Sequence, residues 1–222
     1  MLSLLAATLL LASSADASVI LQYATAGSTS TLSPVIADPG IAADDLQAGT
    51  GIVAQTFSTF NFNDWDTDNT SFADAVADDE VWTWGFDVTS PLDLNLTTLD
   101  VRLDRSSTGP DDFEIQASVN GGTPVSVLTF DFGDSSAGVE FEDVDLSGLG
   151  TLSTGDSVVF TLAAFNSETT GGTFDLETFT FPGGNDALII SGVFVIPEPG
   201  TVLLTMLGLT SVGVVGMRTK LG

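Results

Sequence analysis

The sequence predicts an all-β protein, an antiparallel β-sandwich or jelly roll, on three observations. Apolar residues alternate with polar ones over many short stretches, which is the pattern of strands with one buried face. Gly, Asn, Asp, Ser and Pro interrupt the chain between these stretches, and no part of the body keeps a helical period over three turns. Apolar residues make up 43% of the 222 residues, which is enough for a core and too many for a disordered acidic chain.

The predicted strands follow one another along a single domain, residues 18–195. The alternating stretches span 82–88, 92–103, 113–119, 125–132 and 139–146. Two nearly continuous apolar runs, 158–165 and 187–196, predict central strands of a sheet. Residues 71–79 predict one or two helical turns, and residues 26–50 predict a loop with a short edge strand. Trp82 and Trp84 share the parity of the apolar positions around them, so we expect both in the core.

The charge and the missing residue types exclude several functions. Thirty acidic residues stand against four basic ones, for a formal net charge of −26. Because nucleic-acid binding needs Lys and Arg to displace counterions, the composition argues against it. With no Cys and no His, the chain has no disulfide, no thiolate nucleophile and no His-based triad. Among metal ions, oxygen-loving Ca²⁺ suits this composition best.

The first 17 residues predict a signal peptide. An apolar run from Leu2 to Ala12 is too short to span a bilayer, and Ala15-Asp16-Ala17 follows it. This small-x-small pattern is typical of signal-peptidase cleavage, so we place the cut after Ala17. The alternative is a buried first helix or strand.

The last segment, residues 196–222, predicts a membrane anchor. Residues 200–217 carry no charge, and as a helix they would be about 27 Å long, slightly less than a hydrocarbon core. Arg218 and Lys220 follow the span and would stop transfer on the cytoplasmic side by the positive-inside rule. Pro197 and Pro199 mark the outer border of the helix, because proline is not tolerated in a helix interior.

The tripeptide Pro197-Glu198-Pro199, the apolar span and the short basic end together resemble the PEP-CTERM sorting signal of Gram-negative envelopes. The resemblance covers about the last 27 residues. It implies recognition of the tripeptide by an exosortase, a membrane protease-transpeptidase. It further implies export across the inner membrane, anchoring through the C-terminal helix, and processing that delivers the body to the cell surface or outside the cell. The alternative is a plain anchor or a hydrophobic strand.

One acidic turn is a candidate calcium site. Asp64, Asp66 and Asp68 occupy alternate positions, the spacing at which a tight loop points successive oxygens at one centre. Asn69 stands where such loops need a left-handed residue, which Asn tolerates. The alternative is a solvated acidic turn. Asp78-Asp79-Glu80 is interpreted as a solvated acidic segment as well. Arg102 and Arg105, the two cations of the body, are expected to form salt bridges.

These observations lead to three functional hypotheses. The first is a non-enzymatic surface or extracellular-matrix protein processed at its sorting signal, of the kind found in biofilms. The second is a carbohydrate-binding jelly-roll module that contacts extracellular polysaccharide, favoured by an exposed groove with Trp or Tyr and amides; Trp65, in the acidic turn, is the Trp expected to be exposed. The third is a glycan-active hydrolase, which needs two carboxylates in one cleft.

Overall fold

The computed structural model of the chain describes residues 16–25, 29–56, 59–133, 135–180 and 186–195. Nine strands form one sheet: β1 (Ser18–Ala24), β3 (Ile36–Ala37), β6 (Val53–Ala54), β7 (Phe60–Asn63), β9 (Asp93–Arg105), β12 (Val139–Asp145), β13 (Thr151–Leu152), β15 (Phe174–Leu176) and β16 (Asp186–Val195). Seven strands form the other: β2 (Thr31–Leu32), β4 (Ile41–Ala43), β5 (Leu46–Ala48), β8 (Val81–Val88), β10 (Pro110–Val119), β11 (Val125–Asp131) and β14 (Ser157–Ser167). One α-helix, α1 (Phe72–Ala77), and a 3₁₀ turn at Ser147–Leu149 complete the described elements.

Both sheets are antiparallel in every strand pairing described. The nine-stranded sheet has the order β3-β1-β16-β9-β15-β7-β6, with β12 and β13 also paired to β9. The seven-stranded sheet has the order β11-β10-β14-β8-β5-β2, with β4 also paired to β8. The long strands β14 and β16 lie inside their sheets, where the two apolar runs predicted central strands. The antiparallel sandwich predicted from the sequence is thereby confirmed.

The core lies between the two sheets and is built around aromatic rings. Trp82 of the seven-stranded sheet lies 5.2 Å, between ring centroids, from both Phe60 and Phe174 of the nine-stranded sheet. Trp84 stacks on Phe160 within its own sheet, with centroids 5.5 Å apart. Large rings bury much apolar surface and fix their neighbours by edge-to-face contacts. The core positions expected for Trp82 and Trp84 are confirmed.

Two expectations about local structure need correction. Trp65 is fully buried rather than exposed; its ring packs against Phe174 and its Nε1–H donates to the carbonyl of Phe62 at 3.0 Å. The segment 26–50 holds more than a loop with one edge strand, because β2 to β5 all lie in it. These strands are two or three residues long, which is too short for a local alternation pattern.

Helix α1 covers part of the outer face of the seven-stranded sheet. Ser71 caps it, its hydroxyl accepting the N–H of Asp74. Ala75 packs with Val81 and Ala163, which point away from the main core. The short helix predicted at 71–79 is therefore present, and it leaves the opposite end of this face open.

The predicted targeting segments fall mostly outside the described residues. Ala15, the sorting tripeptide and the basic end all lie beyond them, and Ala17 is exposed just before β1 begins at Ser18. Within the described ranges, no helix has the length and apolar character that a membrane crossing requires. The predicted span at 200–217 lies outside those ranges.

Candidate functional site

A cavity opens on the outer face of the seven-stranded sheet. Its volume is about 430 Å³, and it is lined by Ala43, Asp44, Asp45, Gln47, Thr83, Trp84 and Val159. Binding sites for small ligands commonly occupy about 300–1,000 Å³. The lining combines carboxylates, an amide and a hydroxyl with a few apolar atoms.

A bulge in the pairing between β4, β5 and β8 creates this cavity. The chain advances four residues from Ala43 to Gln47 while β8 advances three from Phe86 to Thr83. The extra residue makes the chain pucker at Asp44-Asp45, which is the usual consequence of a bulge. On the same face of β8, Gly85 places no side chain above the sheet, so the space beside Thr83 stays open.

The bulge is fixed by hydrogen bonds from both sheets. The Asp44 N–H donates to the carbonyl of Gly85 at 2.9 Å, and the Tyr23 hydroxyl donates to the carbonyl of Asp44. Burial, followed by the charges of Asp44 and Asp45, raises the pKa of Tyr23 far above its ordinary value. Tyr23 therefore stays protonated and keeps its donor directed at the bulge. The cavity is preformed rather than dependent on a flexible loop.

Both polar and apolar groups line the cavity. Asp45 and Thr83 are half-buried, whereas Asp44 and Gln47 are exposed. Val159 is 42% exposed and supplies an apolar patch beside them. Trp84 also lines the cavity, although its indole lies in the core and stacks on Phe160. The arrangement offers acceptors for ligand hydroxyls and a small surface for C–H groups.

A second, smaller cavity lies elsewhere on the same sheet. It measures about 230 Å³ and is lined by Asp112, Phe113, Thr129, Phe130, Asp131 and Phe165. Asp112 faces Asp131 on one neighbouring strand and Phe165 on the other. Its volume is below the usual range for a ligand pocket, so the larger cavity is the better candidate.

The acidic turn does not assemble a cation site in this conformation. Asp64 and Asp68 are exposed, and Asp66 accepts the N–H of Asp68 at 2.9 Å. Throughout the described ranges, no three acidic side chains come close enough to hold a metal ion. Asn69 does not take the expected left-handed conformation; Asp64 does, with φ of 65°. The calcium prediction therefore lacks a preformed set of ligands.

The turn is instead organised by Glu80, which sequence reasoning interpreted as solvated. Glu80 is only 3% exposed. Its carboxylate accepts the Asp66 N–H at 2.8 Å and the Asn69 amide at 3.0 Å. Burial raises the pKa of Glu80 above its ordinary value, and these two donors oppose the shift. Glu80 ties the acidic turn to the start of β8.

The two cations of the described chain are engaged in ion pairs, as the sequence predicts. Arg102 contacts Glu177 at 3.0 Å and Glu140 at 3.8 Å. Arg105, which is 3% exposed, pairs with Asp111 and donates to the carbonyls of three turn residues. Neither arginine lines a cavity described above. The larger cavity thus has acidic groups and no cation among its lining residues.

Comparisons with known proteins give a distant likeness of shape. No family model matches the sequence, and no curated protein matches it. Among solved structures, a mutant of a family 29 carbohydrate-binding module is 10% identical with a TM-score of 0.40, over 83% of this chain and 99% of that one. A family 29 carbohydrate-binding module from Piromyces equi is 10% identical with a TM-score of 0.38, over 81% and 91%.

A third solved structure is an enzyme. A family two carbohydrate esterase from Cellvibrio japonicus is 10% identical with a TM-score of 0.33, over 83% of this chain and 36% of that one. Similarity at this level does not establish shared function. The function of this chain has to be inferred from its own residues.

Proposed function

We propose that this chain is an exported, non-catalytic surface protein whose sandwich binds a neutral polysaccharide. The observation that carries the binding proposal is the preformed cavity at the β4–β5 bulge. It places the carboxylate of Asp45, the amide of Gln47 and the hydroxyl of Thr83 around one opening, beside exposed Val159. Sugar rings present hydroxyl groups at their rim and C–H groups on their faces, so this mixture suits them.

The charge of the cavity selects the class of glycan. Asp44 and Asp45 line it, and neither described arginine does. A polymer of uronic acids would bring further negative charge to a chain that already carries a formal −26. A neutral polymer meets no such repulsion, and its hydroxyls donate to the carboxylates as charge-assisted hydrogen bonds.

The buried carboxyls support a non-catalytic function. A glycosidase needs an acid of raised pKa and a second carboxylate at the same sugar. Burial raises the pKa of Asp175 to about 7, but Asp175 belongs to neither cavity and lies on the nine-stranded sheet. Glu80, the other acid whose pKa burial raises and that is almost fully buried, also lines neither cavity.

Export and sorting are the second part of the proposal. The predicted signal peptide ends one residue before β1, and the PEP-CTERM-like segment follows β16 directly. A chain arranged in this way presents a folded body outside the inner membrane, tethered until an exosortase acts at Pro197-Glu198-Pro199. Its partners are then the processing enzyme, the membrane through the C-terminal helix, and extracellular polysaccharide.

Binding is tested by affinity measurements on the full chain in mild detergent. The probes are neutral hexose oligomers, N-acetylhexosamine oligomers and uronic acid oligomers of equal length. Gln47→Ala and Thr83→Val each remove a hydrogen bond worth about 0.5–1.5 kcal/mol, so we expect about 2–12-fold weaker binding of the preferred neutral oligomer. The matched control is Thr98→Val, the same change on the nine-stranded sheet. Equal loss in all three variants, or binding of uronic acid oligomers alone, would contradict the proposal.

Sorting is tested separately in a host that carries an exosortase. Replacing Glu198 with Ala should leave a full-length precursor in the membrane, whereas the unaltered chain is processed. Release of the variant at the normal rate would contradict the sorting proposal, and the C-terminal segment would then be a plain membrane anchor.

A further inference from the structure

A line of uncharged polar side chains crosses the seven-stranded sheet from edge to edge. The strand registers place one such residue on each of six neighbouring strands, each directly opposite the next. In spatial order, this polar row consists of Thr31 (β2), Gln47 (β5), Thr83 (β8), Thr161 (β14), Gln116 (β10) and Ser126 (β11). Every member carries a hydroxyl or an amide.

The polar row lies on the outer face of the sheet. Successive residues of a strand point to opposite faces, and Thr83 lies between Trp82 and Trp84, which are both buried in the core. The chain neighbours of Thr161 and Gln116 are buried as well. The three members on β8, β14 and β10 are half-buried, and the other three are exposed. The polar row is therefore accessible to a ligand along its length.

The polar row is continuous with the cavity at the β4–β5 bulge, because Gln47 and Thr83 belong to both. Neighbouring strands lie about 4.8 Å apart, so the row is about 24 Å long, and the part from Thr83 to Ser126 extends about 14 Å beyond the cavity. A ligand that fills only the cavity leaves this part of the row uncovered.

Helix α1 forms a wall along one side of the polar row. The next line of residues on that side holds Val81 and Ala163, which are buried against Ala75 of the helix. On the other side, Gly85 has no side chain, and its partner Val159 is 42% exposed. The row is thus the floor of a shallow track that runs across the strands beside the helix.

The chemistry of the polar row is unusual for so acidic a chain. On the nine-stranded sheet, Asp104 pairs with Asp175 and Arg102 pairs with Glu140, whereas the six members of the row are all neutral. Hydroxyls and amides both donate and accept hydrogen bonds, which suits the hydroxyls of a neutral sugar. A protein partner fits less well, because the cores of protein interfaces are enriched in aromatic residues and Arg, and the row contains neither.

We propose that the polar row extends the cavity into a track for several consecutive sugar residues of a neutral glycan, which lies across the strands beside helix α1. This inference rests on the proposed function and specifies the ligand as a stretch of polymer rather than a single sugar. One end of the stretch lies in the cavity, and Thr161, Gln116 and Ser126 contact the sugar residues beyond it. The Gln116 amide donates to Glu114 at 2.9 Å; because an amide has two donor hydrogens and an acceptor oxygen, this bond positions the group without using its full capacity.

The test measures affinity against ligand length, with the full chain in mild detergent. The probes are oligomers of the preferred neutral sugar, from the disaccharide to the hexasaccharide. A disaccharide reaches only the cavity end of the polar row. We expect the hexasaccharide to bind at least about tenfold more tightly, because it adds hydrogen bonds on three further strands.

Two substitutions separate the track from the cavity. Thr161→Val and Gln116→Ala should each weaken binding of the hexasaccharide about 2–12-fold and leave binding of the disaccharide unchanged. Unchanged disaccharide binding also shows that the variant is folded. The matched control is Thr129→Val, the same change on the same sheet. Thr129 is exposed but lies opposite Glu114, outside the polar row, so this variant should keep both affinities.

The outcomes distinguish failure of the track from failure of the proposed function. Equal affinity of the unaltered chain for short and long oligomers would overturn the track and leave the proposed function intact. A loss at Thr129→Val as large as that at Thr161→Val would also overturn the track, since the glycan would then cross the sheet elsewhere. If no neutral oligomer of any length binds, the proposed function fails and the track fails with it.

Discussion

Glu80 and Asp175 are both buried carboxyls, but the groups that surround the two side chains differ. Glu80 lies under the acidic turn, where a backbone N–H and the Asn69 amide donate to its two oxygens. Asp175 lies in a strand junction, receives the Thr59 hydroxyl, and faces the carboxylates of Asp104 and Glu177. Burial is the largest cause of the raised pKa at both carboxyls. At Glu80 the opposing hydrogen-bond donors are the next largest influence, whereas at Asp175 the neighbouring acids, which raise the pKa further, outweigh its donors.

Burial alone therefore determines neither the pKa nor the structural role of a carboxyl. A buried acid with sufficient donors organises the chain around it, as Glu80 organises the acidic turn. A buried acid opposed by like charges has a raised pKa, and its ionised form is destabilised. Two substitutions test this distinction, and a third experiment tests the acidic turn that Glu80 organises; they are taken in order of decreasing expected effect.

Removing Glu80 should have the largest effect. Glu80→Ala leaves the Asp66 N–H and the Asn69 amide buried without an acceptor and opens a cavity beside them. We expect the free energy of unfolding to fall by about 2–4 kcal/mol, measured by urea denaturation. The matched control is Glu142→Ala, since Glu142 is exposed. A loss within about 0.5 kcal/mol of the control would mean that Glu80 does not organise the turn.

Neutralising the acid opposite Asp175 should have a smaller effect of opposite sign. Asp104→Asn keeps an acceptor for the Arg105 N–H, which the Asp104 carboxylate binds at 2.7 Å. It removes the cross-strand charge, so the unfolding free energy should rise by about 0.2–1 kcal/mol at about pH 8.

The same substitution at Asp87 is the control for this measurement. Asp87 is exposed on β8 and pairs with Ser157 and Ala42 rather than with a carboxylate. Asp87→Asn should give no gain in stability. If both variants gain equally, the stabilisation comes from lowering the overall negative charge and not from the junction.

Calcium should have the smallest effect. Because the carboxylates of Asp64, Asp66 and Asp68 do not converge, millimolar Ca²⁺ and NaCl of matched ionic strength should raise the melting temperature equally. A larger shift with Ca²⁺ that Asp66→Ala removes would show that the turn rearranges around the ion. The calcium prediction from the sequence would then hold despite the absence of preassembled ligands.

The sequence predicts the parts of this fold that depend on local alternation. The parity of Trp82, Trp84, Phe86 and Val88 is that of β8, and the continuous runs are the inner strands β14 and β16. The sequence does not single out Asp175, because a strand of three residues is too short to show an alternation pattern. Its burial there depends on groups from β7 and β9, which are far away in the chain. Local patterns carry no information about such neighbours.

The candidate site depends even more on long-range pairing. The bulge exists because β4 and β5 pair with β8 out of step by one residue, and no signal in 41–48 indicates this. The sequence does not indicate the burial of Glu80 either, since Glu80 is the third acid in a row and such a run is typical of a solvated face. The sequence predicts an exposed Trp65 because its acidic neighbours suggest a surface loop, whereas the backbone turns the indole into the core.

The most direct test of the central claim is to map where a neutral oligosaccharide contacts the protein. Backbone amide NMR shifts of the full chain are followed during titration with the neutral oligomer that binds most tightly. The account predicts that the largest changes fall at Gln47, Thr83 and Val159, with none at Thr98 or Asp175. Shifts centred on the smaller cavity or on the nine-stranded sheet, or no saturable shifts with any neutral oligomer, would contradict it.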